Sequence, residues 1–147
     1  MAAVLSSALR RVVGEETCRS APYSVLLRRL DAQAAAGAES DPCDVVLCGT
    51  HKDLFNVRVT DECVTLLAAA ISSAFPPPSE TGSAQAPTNN IGVLDLSCNN
   101  LSDAAAQVLA SEVLLGGVRV RELRLRGNDI TSVGATALCG ALAVPGG

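Results

Sequence analysis

The apolar positions of this chain change period twice, in the same way each time. Ile91–Leu101 reads IGVLDLSCNNL and Val120–Ile130 reads VRELRLRGNDI. Ile91, Leu94, Leu96, Asn99 and Leu101 are answered 29 residues later by Val120, Leu123, Leu125, Asn128 and Ile130. Leu94 and Leu96 alternate with Asp95, which predicts a short strand with one buried face. Past the Asn the spacing becomes four, at Leu101, Ala105, Leu109 and Val113 and again at Ile130, Gly134, Leu138 and Leu142. That spacing predicts amphipathic helices returning the chain to the next strand. Ser102 and Thr131 stand where N-caps belong. Ala105 and Gly134 are small where a helix would approach its strand closely. Asn99 and Asn128 leave the strand, where an amide can satisfy backbone groups of the turn and of the next unit. Each such group left buried and unpaired costs about 1–3 kcal/mol.

A fixed period of this kind marks a repeat architecture, and L-x-x-L-x-L-x-x-N-x-L resembles the ribonuclease-inhibitor type of leucine-rich repeat. The resemblance covers residues 91–142 and implies parallel strands on a concave face, helices on a convex face, and a protein partner at the concave face or rim. It implies no catalysis.

A further unit is legible upstream. Val59-Thr60-Asp61-Glu62-Cys63, running on to Leu67 and Ile71, matches Leu101, Ser102, Ala105, Leu109 and Val113 at a shift of 42 residues. The excess over 29 falls in a proline-rich segment, 76–90, too polar and too rich in small residues to pack and therefore expected as an exposed loop. The strand of this unit is read at Val45-Val46-Leu47, with Thr50 where Asn99 and Asn128 stand and His51–Val57 as an insert. A competing register puts Leu54 in the strand and Val57 at the Asn position. The first keeps the alternation and sets Gly49 level with Gly127. A helical leader, this strand, an insert ending in VRVTDE and then regular repeats are together similar to the N-terminal part of one vertebrate member of the family. That implies protein interaction in the nucleus or nucleolus.

The fold class expected is α/β: a short leucine-rich-repeat solenoid with an N-terminal helical cap at 1–41 and repeats over 42–147, at about 42–75, 91–117 and 120–144. With 147 residues the chain can bury a core, and two Phe, one Tyr and no Trp mean that Leu, Val, Ala and Ile must build it. A net charge of −4 argues against a nucleic-acid partner, which needs clustered Lys and Arg. No run approaches the ~20 apolar residues of a membrane span. In the leader, apolar positions 4, 5, 8, 9, 12 and 13 with Arg10 and Arg11 resemble a mitochondrial transit peptide. The reading preferred is a helix closing one end of the repeats, with a second helix at Ser24–Ala36 covering the first strand. A cytoplasmic or nuclear chain follows.

The candidate chemistry is thin. Cys18, Cys43, Cys48, Cys63, Cys98 and Cys139 are read as small apolar fillers in a reducing compartment. Cys43 and Cys48 with His51, and Cys63 or Cys18 as fourth ligand, spell a zinc set without a paired C-x-x-C. Cys48 and His51 lack a third orienting group for nucleophilic catalysis. Asn100-Leu101-Ser102 spells a glycosylation triplet around a core residue. No catalytic, cofactor or metal site and no small-molecule substrate is expected.

What remains is surface. Outward strand positions fall into columns, Val46/Asp95/Arg124 and Cys48/Ser97/Arg126, with neighbours about 4.8 Å apart. Asp95, Ser97, Glu122, Arg124 and Arg126 form the candidate partner-binding face, and Asp95 is expected to pair with Arg124. The last unit has no evident polar cap, so its open edge is a candidate for self-association.

Overall fold

The computed structural model describes residues 1–36, 42–76 and 90–143. Helices α1 (Ala2–Val13), α2 (Glu15–Cys18) and α3 (Tyr23–Ala35) come first. Three strand–helix units follow: β1 (Cys43–Val46) with α4 (Asp61–Ala74), β2 (Ile91–Asp95) with α5 (Asp103–Val108), and β3 (Val120–Arg124) with α6 (Ser132–Ala143). The strands form one parallel sheet in the order β1-β2-β3. α3 begins and ends one residue ahead of the expected Ser24–Ala36. Of the expected loop at 76–90, residues 77–89 lie outside the described set, as does the end of the last unit at residue 144.

Register follows from which leucines need covering. Val45 lies level with Leu94 and Leu94 with Leu123, while Val46, Asp95 and Arg124 share a column. The Leu54 register is thereby excluded: Leu54 sits in a turn after β1, with its N–H on the His51 carbonyl, yet is fully buried. Leu47, Val59, Leu94, Leu96 and Leu101 are likewise buried, with Leu5, Leu9, Leu26, Leu30, Leu67 and Ile71 from the helices. The stripe of α1 is rotated from the expected one: Leu5, Ala8 and Leu9 are covered, while Val4 is 50% exposed. After Val108 the helix widens into a π-turn at Leu109–Leu114. There Leu109, Ala110, Val113 and Leu114 are all buried.

Two hydrogen-bond relays tie each unit to its neighbour. The asparagines reach back to the preceding unit, not forward to the next as the sequence suggested. Asn99 accepts from Val59 N–H (3.0 Å) and donates to the carbonyls of Leu47 (2.8 Å), Leu96 (2.9 Å) and Ser97 (3.1 Å). Asn128 accepts from Asn99 N–H (3.1 Å) and Leu101 N–H (3.3 Å) and donates to Leu96 (3.0 Å) and Leu125 (2.8 Å) carbonyls. The second relay runs forward. Asp61 accepts from the backbone and hydroxyl of Ser102. Asp103 accepts from Thr131 N–H (2.7 Å), Thr131 Oγ1–H (2.6 Å) and Gly134 N–H (3.0 Å). Ser102 and Thr131 each also cap their helix, accepting from Ala104 and Val133 N–H (3.2 Å each). So one hydroxyl caps its own helix and is gripped by the carboxylate of the unit before.

This explains Gly134 better than contact with a strand does. A Cβ there would come within 2.6 Å of Asp103 Oδ1 and 2.9 Å of Ala106 Cβ. Gly49 faces a harder obstacle, because its Cβ would overlap the Cys98 carbonyl. Asn90, placed by sequence in the exposed loop, is instead buried. Its carbonyl accepts from Cys43 N–H (3.2 Å) and its Oδ1 from Arg119 N–H (3.2 Å), which joins the starts of all three strands.

The donors from Thr131, side chain first, hold the Asp103 carboxyl below the usual carboxylate range. A depressed folded value means a contribution present above the unfolded value, about 3.9, and lost as pH falls through the folded one. Asp103→Asn is expected to lower the melting temperature at neutral pH, and the gap to the parent should close on acidification below about pH 4. A gap independent of pH in thermal melts would show that the carboxylate charge does not matter there.

Candidate interaction surface

The two columns run across the sheet face that points away from the core, and β2 and β3 extend past their assigned ends in the same register. Leu96 N–H donates to Arg124 (2.9 Å) and Cys98 N–H to Arg126 (2.7 Å), while Gly49 N–H donates to Ser97 (2.8 Å). The five candidate residues therefore sit on adjacent strands but are not equally reachable. Asp95 is only 8% exposed and Ser97 only 9%. One Asp95 oxygen accepts from Ser97 N–H at 3.0 Å and is spent on its own strand. These two side chains form a floor. The reachable part is Glu122, Arg124 and Arg126, all exposed.

The expected column pair of Asp95 and Arg124 forms, and Arg124 has a second, shorter partner. Arg124 Nε donates to Glu122 Oε1 at 2.6 Å, along its own strand, and its other arm lies 3.7 Å from Asp95 Oδ2. The Arg124 guanidinium holds the Glu122 carboxyl below its ordinary value, and Glu122 raises that of Arg124. Arg126 has no side-chain partner among the described residues. The face therefore presents a paired Glu122–Arg124 and one uncommitted cation.

The opposite end of the sheet is occupied. Gln33 on α3 donates to the Asp44 carbonyl and accepts from Asp44 N–H, both at 2.9 Å, and Arg29 donates to the Val46 carbonyl. Side chains of α3 thus take three of the outward backbone groups of β1 that a further strand would use. The shallow groove there, about 460 Å³ and lined by Arg29, Gln33, Asp44 and His51 among others, has its polar groups already engaged.

The cysteines are dispersed. All six are free thiols. Cys43 is buried, which pushes its thiol up to about 11. Cys48 lies 3.2 Å from the Thr50 hydroxyl, and Cys63 accepts from Thr60 at 3.5 Å. Among the described residues no group of three or more His, Cys, Asp and Glu could hold a metal ion. His51 Nδ1 lies 3.5 Å from Asp53 Oδ2, its own loop neighbour. No described helix is long and apolar enough to cross a membrane.

The family model described as Leucine Rich repeat matches residues 89–110 and 120–139. The match falls on the second and third strand–helix units and stops short of the first. No curated protein and no solved structure matches the chain. Leucine-rich repeats generally mediate protein–protein interaction and are typically non-catalytic.

Proposed function

We propose that this leucine-rich repeat chain is a non-catalytic protein-interaction module of the ribonuclease-inhibitor type, whose concave face and rim take a protein partner. The single observation that carries the reading is that Glu122, Arg124 and Arg126 are exposed at alternate positions along one face of β3 and its extension, beside a floor of Asp95 and Ser97. In this reading α1–α3 form a cap. The side chains of α3 on the edge of β1 and the burial of Leu5 and Leu9 support it, and they favour a structural leader over a cleaved one. Reading the order of elements over residues 13–142 as that of the N-terminal part of leucine-rich repeat-containing protein 34 implies a nuclear or nucleolar place of work, with a cytoplasmic one as the alternative. Arg124→Glu combined with Arg126→Glu is expected to abolish recovery of the partner in affinity purification from the native cell, with circular dichroism unchanged. A partner still recovered at parental yield would end the concave-face assignment.

A second reading, a structural subunit that works by self-association, is favoured by the outer edge of β3, on which no described element lies.

A further inference from the structure

The two ends of the sheet are finished differently. At β1 both outward backbone groups of Asp44 are taken by Gln33 and the outward carbonyl of Val46 by Arg29. At β3 the carbonyls of Arg124 and Arg126 face β2, where they accept from Leu96 and Cys98 N–H. Strand alternation then turns the N–H and C=O of Arg121, Leu123 and Leu125 outward. Among the described residues only the Leu125 carbonyl has a partner there, its own Asn128. Leu123 and Leu125 are partly exposed, whereas the equivalent Leu94 and Leu96 are 1% and 0% exposed. Val133 and Leu142 on α6 are each 58% exposed in the same unit. The forward relay also stops, since Ser132 stands where Asp61 and Asp103 stand in the earlier units.

An edge with unpaired backbone groups is a template for another strand. A second copy cannot continue the stack head to tail, because the β1 edge it would offer is already engaged by α3. The remaining closed arrangement pairs β3 with β3 about a twofold axis, and such pairing is antiparallel.

The charges select the register. Only registers that bring outward-facing residues opposite one another make hydrogen bonds, so Leu123 must meet an odd-numbered residue of its mate. Centring the axis on Glu122 sets that carboxylate against its twin, and centring it on Arg124 sets guanidinium against guanidinium. Centring it on Leu123 places Leu123 opposite Leu123, and Glu122 of each copy opposite Arg124 of the other. Directly opposed like charges destabilise a strand pair and opposite charges stabilise it. We propose that the outer edge of β3 pairs with the same edge of a second copy of this chain, antiparallel and centred on Leu123, with two crossed Glu122–Arg124 pairs. This deepens the self-association reading above and names its partner.

Charge reversal at the crossed pairs tests it by molar mass from light scattering and sedimentation equilibrium on the 147-residue chain. The parent is expected at twice the 15.0 kDa chain mass. Glu122→Arg, which opposes arginines, and Arg124→Glu, which opposes glutamates, are each expected to run as monomers with parental circular dichroism. Glu122→Arg combined with Arg124→Glu restores the opposition and is expected to restore the dimer, which a merely misfolded variant would not do. A monomeric parent at its highest soluble concentration overturns the proposal, as does a dimer that survives both single reversals. Arg126→Glu lies on the concave face but outside the crossed pairs, so it leaves the dimer mass unchanged while removing the cation proposed to meet another protein. Arg126→Glu alone therefore reads the concave-face proposal with the edge pairing intact, and the Glu122–Arg124 exchange reads the edge pairing, so the two failures are distinguished.

Discussion

Replacing Asn99 with Ala is expected to destabilise the fold by about 2–6 kcal/mol, from two orphaned buried groups at about 1–3 kcal/mol each. The side chain is 7% exposed and serves four backbone groups. Two of those keep another partner: Leu96 carbonyl retains Asn128, and Ser97 carbonyl retains Gly49 N–H. Val59 N–H and Leu47 carbonyl do not, and both lie in the seam between the first and second units. Set against a total stability of about 5–15 kcal/mol, such a loss unfolds much of the population. Asn128→Ala should cost less, because Asn128 is only partly buried and water can reach the Asn99 and Leu101 N–H groups it serves. Urea denaturation of both variants checks the order. If Asn128→Ala proves the more damaging, the seam between the first two units is not where the asparagine matters most.

Leu96→Ala is expected to cost about 2–5 kcal/mol, the range for deleting a leucine side chain from a packed core. Leu96 is fully buried between neighbouring units, whereas Leu125 holds the same repeat position with no described element on its outer side and is partly exposed. Leu125→Ala at dilutions where the chain is monomeric should therefore cost clearly less. The comparison holds residue type, strand position and local sequence pattern nearly constant and varies only coverage. A melting shift of a degree or so for Leu96→Ala would mean that Leu96 is not core. At concentrations where β3 pairs with its mate, the penalty at Leu125 should rise toward that at Leu96, because the second copy supplies the missing cover.

Much of this was legible because a repeat states each position more than once. Leu94 and Leu123, Ser102 and Thr131, and Asn99 and Asn128 each appear at one spacing, and that spacing fixes which way each side chain must face. The first unit was harder. Its Thr50 replaces the asparagine and its insert carries a leucine, Leu54, that is buried from a turn where no periodicity announces it. The candidate face was legible as columns but not as exposure. Asp95 and Ser97 are polar and outward on an alternating strand, which reads as solvated, yet flanking strands on both sides cover the middle one. Asn90 was missed because it adjoins a segment whose composition says loop, and its burial comes from contacts with residues 43 and 119, far away in the chain.

By itself the sequence determined the alternation of strand and helix, the inward residues of the strands and of α5, and the caps at Ser102 and Thr131, because these follow from periodicities of 2 and 3.6 and from local hydrogen bonding; Val4 and Leu142, on the expected inward stripes, are 50% and 58% exposed. Tertiary structure decided the direction of the relays, asparagine backward and aspartate forward, since a side chain cannot choose between two neighbours until both have a position. It also decided the asymmetry of the sheet, with β1 engaged by Gln33 and Arg29 and no described element on the outer edge of β3. The reason is that an edge strand and a central strand carry the same pattern, and only the packing of other elements against the sheet tells them apart.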